Sequence, residues 1–197
     1  MHGRTMESLP LTLEPYSKSS EEVENRGVIG QRMKPPLAGH SLHSGVGMSE
    51  KELLVLFGTE TGNAEDLAFE IGRKSVDFGF KSTVRGMEEG TLADVSACQR
   101  LMICCSTWGE GDQPDNAQEL YDEISESMDG CLTSVHFSVL SLGDTAFEMF
   151  CESGKQWDTI LEKKGGRRIN DRVDCDTDYE DDAEIWIEST LKLMQNY

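Results

Sequence analysis

From residue 52 onward, short apolar runs alternate with segments whose apolar positions recur every three or four residues. The first run, ELLVLFGT (52–59), has no polar side to show water. A strand covered on both faces reads this way, which predicts a buried parallel strand. Ala64, Leu67, Ala68 and Ile71 then fall at i, i+3, i+4 and i+7 and predict one apolar helix face. KSTVRGM (81–87) alternates apolar and polar residues and predicts an edge strand, and TLADVSACQ (91–99) predicts a short helix. RLMICCST (100–107) is a second fully apolar run, in which the neighbours Cys104 and Cys105 must point to opposite faces. Ala117, Leu120, Tyr121 and Ile124 mark a helix, and VHFSVLSLG (135–143) is a fourth strand. Trp157, Ile160 and Leu161 line a helix that Gly165 and Gly166 close. RRINDRVDC (167–175) is a weaker fifth strand. Ala183, Trp186, Ile187, Thr190, Leu191 and Met194 form the inner face of a last helix.

Five strands alternating with helices predict an α/β fold: a doubly wound parallel sheet with helices on both faces. In such sheets a ligand lies outside the carboxyl ends of the strands, where the strand order reverses. The loops after the first, third and fourth strands are therefore where function is expected.

Residues 1–48 interrupt this pattern. They hold four of the five prolines (Pro10, Pro15, Pro35, Pro36) and three of the four histidines, with few large apolar residues. Such a composition cannot bury enough surface to offset the entropy of ordering. Two readings stay open: a disordered tail, or an extension upstream of an alternative start at Met48. The folded domain is expected over 49–197.

Charge sharpens the division. The first 48 residues carry five basic and five acidic groups, so the net charge of -19 belongs entirely to the rest. A strongly acidic domain opposes nucleic acid and anionic membrane as partners, and suits a basic protein surface. The chain has no apolar run of spanning length and no apolar signal core near its start, so a cytoplasmic protein is expected. The six cysteines show no C-x-x-C spacing and read as buried thiols rather than a disulfide or metal set.

Each of the three loops has an unusual composition. In the first, TETGNA (59–64), a glycine and hydroxyl and amide side chains precede a helix, with no lysine or arginine. A helix start offers unpartnered N–H groups and a positive dipole end, so this loop suits a phosphate held by neutral donors. The sequence lacks the lysine of a nucleotide-hydrolysing P-loop, and a simple capped helix is the alternative. In the second, STWGEGDQPDNA (106–117), Trp108 stands beside two glycines at a strand tip. There it can stack on a flat ligand, or alternatively plug the strand end. Gly109 permits either orientation of its peptide. In the third, SLGDTAFEMF (141–150), Phe147 offers a second aromatic face, and Phe150 fits better as packing. A phosphate seat and two flat faces call for a planar ring on a phosphorylated chain.

Three segments then carry a resemblance: GTETGNAEDLA, STWGEGDQPDNAQELYD and SLGDTAFEMFCESGKQWDTILEKKGGRRINDRVDCDTDYED. In order and spacing, residues 50–197 resemble the FMN-binding, flavodoxin-like domain of the diflavin reductases. The last segment is most similar to the sulfite reductase flavoprotein. The resemblance implies a flavodoxin-like sheet of order 2-1-3-4-5 and FMN as cofactor. It implies that Thr59, Glu60, Thr61, Gly62, Asn63 and Ala64 bind the phosphate. It further implies that Ser106, Thr107, Trp108 and Gly109, with Leu142, Gly143, Asp144, Thr145, Ala146, Phe147, Glu148, Met149, Phe150 and Cys151, bind the ring and ribityl chain. Asp176 stands where the family places an acid near the flavin. Phe147 replaces a frequent tyrosine, and Trp108 a tyrosine or glutamine; both keep an aromatic face. The FAD and NADPH module of that family lies outside these residues, so its turnover is not carried over.

The expected function is single-electron transfer between a reductase donor and a metalloprotein or radical-enzyme acceptor. The carrier is expected to be monomeric, with basic partner surfaces docking on its acidic one. No catalytic nucleophile, base or metal set is expected. The carboxylate run DCDTDYEDDAE (174–184) lacks the spacing and mid-loop glycine of a calcium loop. The alternatives are a detached FMN domain or subunit of a diflavin reductase such as sulfite reductase, and a flavodoxin-like binding module that no longer uses flavin.

Overall fold

The computed structural model describes residues 51–197, and the expectations for residues 1–48 lie outside them. The strands are β1 (Lys51–Gly58), β2 (Phe80–Gly86), β3 (Arg100–Ser106), β4 (His136–Leu142), β5 (Arg167–Arg168) and β6 (Val173–Cys175). The helices are α1 (Asn63–Ser75), α2 (Leu92–Ala97), α3 (Asp115–Glu126), α4 (Glu152–Lys163) and α5 (Glu180–Met194). Every strand pairing is parallel, and the order is β2-β1-β3-β4-β5, with β6 also on β4. The expected order 2-1-3-4-5 is the observed one.

Alternation along the central strands divides the core into two layers. Leu53, Val55 and Phe57 of β1, with Met102 and Cys104 of β3, face Leu67 and Ile71 of α1 and Trp186, Ile187 and Leu191 of α5. Leu54, Leu56, Leu101, Ile103 and Cys105 face the other way, toward Leu120 and Ile124 of α3 and Trp157 and Leu161 of α4. Cys104 and Cys105 thus divide between the faces, and all six cysteines are free thiols. Burying each large aliphatic side chain contributes about 1.5–3 kcal/mol, which fixes the register of every strand that carries two such rows.

The predicted fifth strand is two short strands on one edge. His136 and Phe137 of β4 pair with Arg167 and Arg168, and Leu140 to Leu142 pair with Val173 to Cys175. Ser138 and Val139 therefore face four residues, 169–172, and the surplus bulges outward. Asn170 and Asp171 are poor strand formers whose side chains hydrogen-bond locally, and Asn170 Oδ1 accepts from the Asp171 N–H at 3.1 Å. The helices on both sides hold the bulge. Asn170 Nδ2 donates to Thr190 Oγ1 at 2.8 Å, and Trp186 Nε1 donates to the Asp171 carbonyl at 2.8 Å. On the opposite face, Asp158 of α4 accepts from Arg168 at 2.7 Å and from Arg172 at 3.0 Å.

Asp158 is nearly buried, and both arginines are mostly covered. Asp158→Ala leaves two guanidinium groups without their shared partner, and is expected to lower unfolding free energy by about 2–3 kcal/mol in urea titration. A loss below about 0.5 kcal/mol would mean that solvent already screens the pair.

Candidate functional site

Register places the three loops side by side. Gly58 of β1 is level with Cys105 of β3, and Ser106 is level with Leu142 of β4. The carboxyl ends of the three central strands therefore open onto one edge, and each continues directly into its loop.

In the first loop Gly62 sits at φ +96° as the N-cap of α1, and a β-carbon there would meet nothing within 4 Å. Backbone conformation, not space, calls for glycine. No side chain caps the helix. The first helical bond runs from the Asp66 N–H to the Gly62 carbonyl at 2.9 Å. Among the described residues, the N–H groups of Asn63, Ala64 and Glu65 have no partner. That is the arrangement that accepts an anion. Thr59 Oγ1 closes the loop by accepting from the Gly62 N–H at 2.9 Å. Thr61 and Asn63 are exposed, and Ala64 is buried beneath them. The Glu60 carboxylate is engaged elsewhere: its Oε1 accepts from the Asp115 N–H, at the start of α3, at 2.6 Å.

The second loop is a tight hairpin. Trp108 and Asp112 exchange backbone hydrogen bonds of 3.1 and 2.8 Å, with Gly109 at φ +52° and Gly111 at φ +103° in the bend. Ser106 Oγ donates to the Gly58 carbonyl, and the Thr107 N–H donates to the Leu142 carbonyl at 3.0 Å. The loop is thereby tied to both neighbouring strand ends. A buried polar chain supports it. Ser153 Oγ donates to Gln113 Oε1 at 2.6 Å, Gln113 Nε2 to Gln156 Oε1 at 2.9 Å, and Gln156 Nε2 to the Gly111 carbonyl at 3.4 Å. Nothing covers Trp108 among the described residues, and half of it is exposed at 51%. A plug over the strand end would be buried, and half of Trp108 is open to solvent.

In the third loop Asp144 accepts from the Ala146 N–H at 2.7 Å and turns the chain. Phe147 is 63% exposed, and Glu148 and Met149 are exposed beside it. Phe150 is half-buried and packs near Gly143, where a β-carbon would stand 2.9 Å from its ring and 2.7 Å from the Cys151 nitrogen. Cys151 is fully buried at φ +57° as the N-cap of α4, its Sγ 3.6 Å from the carbonyls of Ser141 and Cys175. Leu142 is buried in the strand. Asp176, just past β6, accepts from the Thr145 N–H at 3.1 Å, from its hydroxyl, and from the Thr177 N–H at 2.8 Å. These bonds favour the ionised form and hold the Asp176 carboxyl below its ordinary value, the Thr145 hydroxyl contributing most. Burial pushes the Cys105 thiol up to about 12 and the Cys151 thiol to about 11, so neither is a ready nucleophile.

Of the residues marked in the sequence, those of the three loops meet at one edge, and Asp176 joins them through Thr145. Asn116 was not marked, yet its Oδ1 accepts from the Thr59 N–H at 2.9 Å. The Gln113–Ser153–Gln156 chain was also missed. An asparagine at a helix start is a recognisable hydrogen-bonding residue, but nothing local points it at a loop 57 residues away.

A family model for flavodoxin matches residues 55–186. The chain belongs to the flavodoxin family. The sulfite reductase [NADPH] flavoprotein alpha-component of Bacillus subtilis (strain 168) is 40% identical over 157 residues, covering 80% of this chain and 26% of that protein. The NADPH–cytochrome P450 reductase of Mus musculus is 33% identical over 180 residues, covering 88% of this chain and 26% of that protein. The chain thus spans about a quarter of these relatives, which by name are components of reductase systems. Among solved structures, a Streptococcus pneumoniae flavodoxin superposes with a TM-score of 0.67 at 21% identity, covering 74% of this chain and 99% of that one. The oxidised flavodoxin 1 of Bacillus cereus gives 0.64 at 19% identity, covering 75% and 99%. FMN, the cofactor expected from the sequence, is the cofactor of this family. Among the described residues, no helix is long and apolar enough to cross a membrane.

The Asp176 clamp makes a pH prediction for this flavodoxin domain. A depressed carboxyl contributes order above its ordinary value of 3.8, and that order is lost as pH falls through its lower folded value. An NMR titration of the Asp176 carboxyl should show a midpoint below 3.8, and Thr145→Val should raise it. Equal midpoints in the two proteins would mean that Thr145 does not hold the carboxylate.

Proposed function

We propose that this domain holds FMN on its three strand-end loops and passes electrons singly between redox proteins. The observation that carries the reading is the pairing, on one sheet edge, of three unpartnered N–H groups at the start of α1 with two large aromatic side chains facing solvent. The donors suit a phosphate without a basic residue. The aromatic faces suit a planar ring, and stacking of this kind contributes about 0.5–1.5 kcal/mol beyond area burial.

Thr59, Thr61, Gly62, Asn63 and Ala64 would form the phosphate seat, with Glu60 beside it. Ser106, Thr107, Trp108 and Gly109 would line one side of the ring and ribityl chain. Leu142 through Cys151 would line the other, with Phe147 as the second aromatic face. Asp176 would act through Thr145, fixing the third loop. Bound FMN would supply one-electron chemistry that no side chain here offers. The residues would bind and orient it, keep water from both ring faces and leave an edge open to partners. The three loops carry carboxylates and no lysine or arginine, so a partner of basic surface is favoured, with association slowed by salt. A monomeric, cytoplasmic carrier fits this reading.

A second reading is supported by the 40% identity with the sulfite reductase flavoprotein of Bacillus subtilis. In it the domain serves within, or as a subunit of, a diflavin reductase such as sulfite reductase, and receives electrons from a bound FAD protein. Copurification with such a protein separates the two.

Titrating the flavin-free protein with FMN, followed by visible absorption, tests the central claim. Saturable uptake is expected, and Trp108→Ala and Phe147→Ala should each weaken it about tenfold. A protein that takes up no FMN leaves a flavin-free binding module as the better account.

A further inference from the structure

Glu60 poses a problem for the seat just described: it places a carboxylate in an anion-binding loop that has no basic residue. The α1 N–H groups three to five residues on would donate to that carboxylate as readily as to a phosphate. The structure assigns it a different partner. Glu60 Oε1 lies 2.6 Å from the Asp115 nitrogen. Asp115 is the first residue of α3, whose N-cap, Pro114, offers no side-chain acceptor. Glu60 thus caps a helix start other than its own.

A second bond runs beside it. The Thr59 N–H donates to Asn116 Oδ1 at 2.9 Å, and Asn116 Nδ2 donates to Glu88 Oε2 at 3.0 Å. Two consecutive residues of the first loop are therefore fastened to two consecutive residues of α3. Resting on the FMN reading above, we propose that Glu60 is a positioning residue: by capping α3 it fixes the first loop and keeps its own carboxylate out of the phosphate seat. The phosphate then meets the α1 N–H groups without competition from a side chain of the same loop. Glu60 makes no contact with cofactor in this account, and the geometry of the seat depends on a backbone donor from the second loop's far end.

The test compares FMN with riboflavin, which lacks the phosphate, on the 197-residue chain freed of flavin. Glu60→Ala removes the acceptor, Glu60→Gln keeps an acceptor oxygen without charge, and Asp115→Pro removes the donor together with the Asp115 carboxylate. Proline is accepted at the first position of a helix, and Pro114 at φ -56°, ψ 149° already has the extended conformation a following proline requires. FMN affinity should fall about tenfold in Glu60→Ala, fall further in Asp115→Pro, where the freed Glu60 carboxylate also competes for the seat, and stay within about twofold of the parent in Glu60→Gln. Riboflavin affinity should be the same in all four proteins, which also reports that the variants fold. Adding Glu60→Ala to Asp115→Pro should recover part of the loss, because the freed carboxylate is removed. Tighter FMN binding by both Glu60→Ala and Glu60→Gln would show simple repulsion and overturn the proposal. Unchanged FMN binding by Asp115→Pro would overturn it as well. If the parent binds neither flavin, the FMN reading itself fails, an outcome distinct from either of these.

Discussion

The site depends on the lateral register of β1, β3 and β4. These strands pair in parallel without a bulge, and their last residues are level to within one residue. Two rows of buried aliphatic side chains on each central strand lock that register, since a one-residue slip would exchange the faces. The three loops are therefore fixed at their roots by the hydrophobic core. Their tips need only short-range devices: a left-handed glycine at Gly62, a hairpin at Trp108 and an aspartate turn at Asp144. The irregular fifth strand shows the complement. Its bulge lies midway along β4, away from the carboxyl end, so β6 resumes pairing before Leu142 and brings Asp176 to the third loop.

Electrostatics sets the second constraint. The domain carries the whole net charge of -19, and the loops add carboxylates without a cation. An anion can settle there only on oriented dipoles. The helix start supplies these because its donors have no other partner, and because Glu60 and Asp144, which could have taken nearby donors, are engaged at Asp115 and Ala146. Binding by dipoles asks for closer positional control than binding by a mobile lysine head, since N–H groups act over a short range and narrow angles. On the proposed reading, that need accounts for the two bonds tying the first loop to α3.

The sheet, its order and the faces of its helices were legible because they rest on periodicity, a signal carried by many residues at once. The strand boundaries of ELLVLFGT and RLMICCST came within a residue of the observed β1 and β3. The loops were legible as compositions: glycine, hydroxyl and exposed aromatic residues at strand ends. What escaped was pairwise. The break in the fifth strand is held by Thr190, Trp186 and Asp158, from two helices on opposite faces, and no pattern within RRINDRVDC names them. Glu60 is legible as an anomaly but not as a cap, because its partner is a backbone N–H, which every residue but proline possesses. Asn116 escaped for the same reason.

These omissions share a physical basis that bears on how the domain works. Long-range bonds to backbone groups contribute about 0.5–1.5 kcal/mol each, too little to choose a fold and enough to choose among loop conformations. The core decides where the loops start, at a scale of several kcal/mol per strand, and the polar bonds decide how the loops lie. A binding site of dipoles and flat faces is sensitive to the second scale. On the proposed reading, substitutions at Asn116, Glu60 or Gln113 act on the site while leaving the sheet intact, whereas substitutions in the aliphatic rows loosen the sheet and the loop roots together.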